Sequence, residues 1–410
     1  MDQRIEFVLK AQQCGNFREL CREFGISTKT GYKWKERFLQ HGLNGMAEES
    51  RRPKSHSKEL SETVTCEIIR LKEAHRHWGP LKIRNLYERK HEGEEIPSES
   101  SFKRVMERAG LTKPRKRRRA RESGRLAVGR KAEAANDIWT VDFKGWWKDR
   151  EGLRVEPLTL RDEHSRMLLE MRAVESTRTE TIKLCFERVF ERYGLPKVIR
   201  SDNGPPFASS NGLLGLSRLS AWWLALGIDL ERGRPGKPQD NGAHERMHLD
   251  ISKELQAGRI GRDQEAFDLW RHEYNHERPH ESLGMDRPAE HYRPSDRKYE
   301  GTPDELEYGE MMTRRVHSRC GYIKYDGERI PISKALGGWS VGLCPTQNDL
   351  IEVWFASLLV GHLNPKTSSF ASVDPAQAGA ATGHPADSAT LHQPNGRGKP
   401  KATDKPEPKV

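Results

Sequence analysis

The chain has 410 residues, enough for roughly two to four domains with sizeable cores. Its 71 Lys and Arg against 60 Asp and Glu leave a formal charge of +11, which favours a polyanionic partner, although the surplus alone suits many soluble proteins. Six scattered cysteines without CxxC pairs read as reduced thiols rather than a disulfide framework or zinc knuckle, no apolar run approaches a membrane span, and Met1-Asp2-Gln3 does not begin a signal peptide, so a soluble cytoplasmic protein is expected.

Residues 1–50 read as a helix-turn-helix unit with helices over Ile5 to Gln12, Phe17 to Phe24 and Ser27 to Leu39, Gly25 making the bend and Ser27 the cap. Lys29, Lys33, Lys35 and Arg37 would face DNA while Ile26, Tyr32, Trp34 and Phe38 pack; a plain three-helix bundle with a solvated basic face has the same pattern. Residues 56–112 repeat the theme, with helices near Ser61 to Ala74, Pro80 to Lys90 and Ser98 to Ala109. Residues 113–134 form a basic linker in which Arg115, Lys116, Arg117, Arg118 and Arg119 could track phosphates, each contact releasing counterions without reading sequence.

Residues 135–295 read as an α/β domain. Ile138-Trp139-Thr140-Val141-Asp142-Phe143 alternates, with Trp139, Val141 and Phe143 on one face and Asp142 on the other. Two further strands, Arg154 to Leu160 and Arg166 to Met171, flank a hairpin turn, and an amphipathic helix spans Thr177 to Tyr193. A strand over Lys197 to Arg200 ends in Ser201-Asp202-Asn203-Gly204. A helix within Leu213 to Leu226 and a strand at Ile228 to Leu230 follow, and Asp240 or Asn241 caps a helix presenting Glu245. Between them, Arg232, Arg234 and Lys237 lie in a Gly- and Pro-rich segment suited to a DNA-contacting arm or an ordinary loop, while Arg246, His248 and Lys253 could meet phosphate or form helix-surface pairs. Residues 310–361 alternate as short strands with an Asp326-Gly327 turn, predicting a small β-barrel, and residues 362–410 read as a disordered tail.

Taken singly, Asp142, Asp202 and Glu245 are a wet-face strand residue, a turn residue and a helix-surface residue. Taken together, a strand, a strand end and a helix bring three carboxylates to one sheet edge, the hard oxygen set that a pair of magnesium ions uses to activate a nucleophile and stabilise a leaving oxygen. Trp139-Thr140-Val141-Asp142-Phe143, Ser201-Asp202-Asn203-Gly204, Asn241-Gly242-Ala243-His244-Glu245-Arg246-Met247-His248 and Tyr274-Asn275-His276-Glu277-Arg278-Pro279-His280 resemble, in order and flanks, the bacterial insertion-sequence transposases with a retroviral-integrase-type core. The resemblance covers about residues 1–295, most strongly 136–292; the interval from Asp202 to Glu245 is longer than in retroviral integrases, with extra chain near Asn211 to Trp223. It implies a ribonuclease-H-like mixed α/β core, catalytic metal ligands Asp142, Asp202 and Glu245, two Mg²⁺ or Mn²⁺ ions, and double-stranded DNA, both element ends and target, as partner. It further implies a homo-oligomer on DNA that frees 3′-hydroxyls and joins them to target DNA. Two rivals stand beside it. His244-Glu245-Arg246-Met247-His248 matches H-E-x-x-H of zinc metallopeptidases, with Glu265 or His272 as a third ligand, and a DNA-binding regulator could carry an inactive core.

Overall fold

The computed structural model describes residues 2–47, 60–112, 129–233 and 242–374. The chain divides at Glu67 into two compact units. In the first, α1 (Asp2–Gln13), α2 (Phe17–Glu23) and α3 (Thr28–His41) enclose Phe7, Val8, Ala11, Leu20 and Cys21. Asn16 and Ser27 accept backbone N–H groups of Glu19 and Thr30, the caps that start α2 and α3. Gly31 permits close crossing, because a Cβ there would lie 2.7 Å from Cys21 Sγ and 2.9 Å from Phe7 Cζ. Ile26, Trp34 and Phe38 pack inward as expected, but Tyr32 is 61% exposed and rests on Phe17 from outside.

Three further helices follow, α4 (Glu62–Ala74), α5 (Pro80–Lys90) and α6 (Glu99–Arg108), with Pro80 in the first turn of α5 and Ser98 capping α6. Their buried residues include Ile68, Leu71, Ile83, Leu86, Phe102 and Met106. They are fastened to later chain by polar contacts: Arg89 bonds Glu290 at 2.6 Å and Asp286 at 3.2 Å, and His75 Nδ1 meets Glu273 at 3.2 Å.

The strands that follow are β1 (Ile138–Phe143), β2 (Trp147–Lys148), β3 (Arg154–Val155), β4 (Pro157–Asp162), β5 (Leu168–Ala173), β6 (Val198–Ser201) and β7 (Asp229–Arg232). A mixed sheet runs β5-β4-β1-β6-β7, with β4 antiparallel to β1 and β5, and β6 parallel to β1 and β7. This is the ribonuclease-H-like arrangement that the resemblance implied. Trp139 and Val141 point into the main core with Leu158, Leu160 and Ile199, where α7 (Thr179–Tyr193) adds Ile182, Phe186 and Phe190. On the other face, α9 (Gly242–Ile251) and α10 (Gln264–His276) pack around Trp147, Leu168, Met247, Ile251, Phe267 and Trp270.

The single helix expected within Leu213 to Leu226 is instead a 3₁₀ turn, Leu213–Gly215, and a new helix, α8 (Arg218–Ala225). Ser217 restarts the chain with a capping box to Ser220. Helix α8 is buried on two sides, Leu219, Trp222 and Trp223 in the main core and Ala221, Leu224 and Ala225 under the C-terminal strands, so the extra chain joins two layers.

Those strands are β8 (Met312–Arg315), β9 (Tyr322–Tyr325), β10 (Glu328–Pro331), β11 (Ser340–Pro345), β12 (Ile351–Phe355), β13 (Leu358–Asn364) and β14 (Ser369–Ser372). They correct two expectations. An open antiparallel sheet, β14-β13-β12-β11-β8, stands where a closed barrel was predicted, with β9 and β10 as a separate hairpin. Ile323 and Ile330 of the hairpin and the outer side of α8 cover the apolar face that closure would have covered. The tail expected from residue 362 does not begin there, since β13 and β14 pair through Leu363 and Phe370, which pack into the same core; residues 375–410 lie outside the described residues. Among the described residues, no helix is long and apolar enough to cross a membrane.

Candidate active site

Strands β1 and β6 are parallel, with Thr140 opposite Arg200. Two residues further on, that register sets Asp142 beside Asp202, so the two carboxylates leave neighbouring strands at the same edge. A side-chain acceptance stabilises the turn, Gly204 N–H donating to Asp202 Oδ1 at 3.2 Å, and a Cβ on Gly204 would come within 3.0 Å of Asp202 Oδ2. Asn203 donates to Gly233 O at 2.7 Å, which ties this turn to the end of β7.

Helix α9 supplies the third carboxylate. His244, Met247, His248 and Ile251 are its buried residues, a spacing that leaves Glu245 exposed at the edge of the sheet. Ligand atoms of Asp142, Glu245 and His248 lie within 4.8 Å of one another. Asp202 stands outside that tight set but still acts on it: burial, then the charge of Asp202, then that of Glu245 push the Asp142 carboxyl up to about 7. Lys144, half buried nearby, has its ammonium pulled below the usual range by burial, with Glu245 and Asp142 opposing.

Beneath the carboxylates lies a polar network absent from the expectations. His244 is fully buried between two hydroxyls, Nδ1 2.8 Å from Thr140 Oγ1 and Nε2 2.7 Å from Thr159 Oγ1. Thr159 Oγ1 also donates to Asp142 O at 2.9 Å and lies 2.9 Å from His248 Nε2. Burial holds both imidazoles neutral, His244 well below the usual histidine range and His248 down to about 3, with Lys144 and Arg161 adding repulsion at His248. The zinc reading requires two histidines open to one ion, whereas both ring nitrogens of His244 are engaged by threonines. The signal for this network was present in the chain: alternation puts Thr140 on the face of Asp142, and i, i+4 spacing puts both histidines on the inward side of α9.

A second buried cluster anchors this helix. Arg278 bonds Asp250 of α9 at 2.9 Å and Glu254 of the following π-helical turn at 2.5 Å, under the rings of Trp78, Trp270 and Tyr274 at 5.6–5.7 Å. Lys82, close by, is pulled down to about 8 by burial and by Arg278.

The expected DNA contacts divide. Lys29 and Lys33 are exposed on α3, Lys35 is half buried with its ammonium 5.6 Å from the Phe17 ring, and Arg37 is half buried. Arg232 is committed to the fold, donating to Gly215 O at 2.7 Å from a partly buried site, which argues against its expected place in a DNA-contacting arm. Arg246 is exposed on α9 and Lys253 lies 3.7 Å from Asp250, whereas His248, expected with them at the helix surface, is 5% exposed and turned inward to Thr159. Arg115, Lys116, Arg117, Arg118, Arg119, Arg234 and Lys237 lie outside the described residues, as do the capping candidates Asp240 and Asn241.

Two stretches of the chain match the Integrase core domain family, residues 132–238 and 226–288. Residues 3–54 match a Helix-turn-helix domain and residues 30–106 a Homeodomain-like domain. The chain is similar to the insertion element IS407 uncharacterized 31.7 kDa protein of Burkholderia multivorans, 26% identical over 56% of this chain and 80% of that one. It is 25% identical, over 60% of this chain and 70% of the other, to the insertion element IS476 uncharacterized 39.2 kDa protein of Xanthomonas euvesicatoria. Among solved structures it is similar to the catalytic core domain of BIV integrase, at 24% identity over 38% of this chain and 92% of that one, with a TM-score of 0.30.

Proposed function

We propose that this chain, an insertion-element protein with an integrase core domain and N-terminal helix-turn-helix domains, is the transposase of its own mobile element. It would bind the element ends, cut there to free 3′-hydroxyls and join them to target DNA. The observation that carries the reading is the convergence of Asp142, Asp202 and Glu245 on one edge, from two parallel strands and a helix. A carboxyl pushed up to about 7 by burial and then by the charges of Asp202 and Glu245 marks a site short of positive charge, and an all-oxygen donor set suits Mg²⁺ or Mn²⁺. Asp142, Asp202 and Glu245 are therefore the residues that would hold such ions.

When bound, two divalent ions supply Lewis-acid activation of water or a 3′-hydroxyl and neutralise charge on the leaving oxygen. The chain's residues do the rest. The carboxylates act as ligands rather than nucleophiles. The Thr140–His244–Thr159 network fixes α9 against β1 and β4 and so fixes Glu245 relative to Asp142. Lys144 offers a cation at the rim for a phosphate. Lys29, Lys33, Lys35 and Arg37 on α3, the basic segment 113–134 with Arg115, Lys116, Arg117, Arg118 and Arg119, and Arg232, Arg234, Lys237, Arg246 and Lys253 are the proposed DNA contacts, of which Arg232 has the weakest support because of its bond to Gly215.

The test is an incubation of the full chain with target DNA, Mg²⁺ and a linear duplex carrying the sequences that flank its gene. The reading expects end-to-target joined strands. End binding without cutting would favour the regulator instead.

A further inference from the structure

The hydrogen bonds beneath the carboxylates determine how His248 presents its ring. Thr159 Oγ1 has three partners: Asp142 O at 2.9 Å, His244 Nε2 at 2.7 Å and His248 Nε2 at 2.9 Å. A hydroxyl carries one proton and a carbonyl can only accept. The Thr159 proton therefore goes to Asp142 O, and both imidazoles donate from Nε2. Thr140 Oγ1 also lies 3.3 Å from Arg161 O, but its bond to His244 is the shorter at 2.8 Å, so its proton goes to His244 Nδ1, which uses both nitrogens of that ring.

His248 is left with its Nδ1 lone pair directed at the carboxylates. It is 5% exposed, and Nδ1 lies 3.9 Å from Asp142 Oδ2. Two acceptors facing each other at that distance are unfavourable alone, but 3.9 Å lies inside the roughly 4.2 Å that two donors, each about 2.1 Å from one ion, can span. Glu245 completes a set within 4.8 Å, and its exposed side chain can swing to close the remainder. Thr159 on Nε2 serves as the outer partner that orients a metal-bound imidazole.

We propose that His248 Nδ1 is a direct ligand of the cation held between Asp142 and Glu245, giving that position a mixed nitrogen and oxygen donor set. The inference rests on the carboxylate metal site proposed above. Nitrogen ligation favours transition ions, whereas Mg²⁺ keeps to oxygen and water. This position would therefore prefer Mn²⁺-type ions more strongly than carboxylates alone allow.

The test is pulsed electron paramagnetic resonance on the frozen full chain with substoichiometric Mn²⁺, prepared with natural-abundance and with ¹⁵N-labelled histidine. The expected result is directly coordinated ¹⁴N that changes to ¹⁵N on labelling and disappears in His248→Ala and His248→Gln. In these variants Mn²⁺ affinity should fall by about tenfold or more, as when other partners of a metal site are removed, while Mg²⁺ affinity changes far less. The wild-type spectrum decides the matter even if the variants fold poorly. Mn²⁺ that binds, is lost in Asp142→Asn and shows no nitrogen coupling overturns the role of His248 and leaves the carboxylate site intact. Mn²⁺ that fails to bind, or binds equally well to Asp142→Asn, overturns both.

Discussion

Asp142→Asn should make the metal-free protein more stable above neutral pH. The wild-type carboxyl is pushed from 3.8 to about 7 by burial, Asp202 and Glu245, so ionising it costs the folded state what it does not cost the unfolded chain. Below pH 4 both states are protonated and the substitution brings no gain. Between pH 4 and 7 the unfolded chain ionises first and wild-type stability falls as pH rises. Above pH 7 the penalty is complete, and a rise of about three units at about 1.4 kcal/mol per unit sets it near 4 kcal/mol, an upper figure because Asp142 is 22% exposed. Urea unfolding in a chelator, followed by the fluorescence of buried Trp139 and Trp223, would read the difference at pH 5 and pH 8. Divalent ions should narrow the gap by stabilising wild type more than the variant. An Asn variant equally or less stable at pH 8, or a gain that grows as pH falls, would refute the electrostatic account of the site.

Three other outcomes are expected. Replacing Arg115, Lys116, Arg117, Arg118 and Arg119 with Ala should lower the slope of log K against log salt by about 0.9 for each phosphate that is no longer neutralised, measured by fluorescence anisotropy on any duplex; an unchanged slope would make the run a linker. Arg278→Met should destabilise the second unit by about 3 kcal/mol or less in chemical unfolding, because Asp250 and Glu254, partly buried, would lose the buried cation they share while Asp250 keeps only Lys253. Cutting of DNA should survive a zinc-selective chelator; stoichiometric zinc in the purified protein, lost together with activity in His244→Ala, would restore the metallopeptidase reading.

Much of the core was legible because local rules and burial agree there. The alternation of Ile138 to Phe143 places Trp139 and Val141 in the core and Asp142 opposite, and Ser27, Pro80 and Ser98 mark helix starts where the helices begin. The three carboxylates were legible as a set only because several motifs occur in order. What escaped depends on contacts between distant segments. Thr159 reads as an ordinary strand residue until β4 pairs with β1 and brings its hydroxyl under α9. Arg278 gives no hint of its full aromatic cover, since Trp270 and Tyr274 lie near it in sequence but Trp78 lies far away. Tyr32 fits the inward pattern of α3 by type, yet Gly31, Trp34 and Phe38 hold the packed side at helical spacing and leave Tyr32 outside. The open C-terminal sheet could not be told from a barrel, because strand patterns do not say which edges pair.

The measurement that bears most directly on the central claim compares wild type with Asp142→Asn, Asp202→Asn and Glu245→Gln on end-labelled duplexes carrying the element ends. Binding is read by gel shift and strand cutting on a denaturing gel, each with Mg²⁺ and with a chelator. The account predicts that all four proteins bind with similar affinity, and that only wild type releases 3′-hydroxyl ends, only with the metal present. Cutting near the wild-type rate by any one of the three variants, or by wild type in chelator, would contradict it.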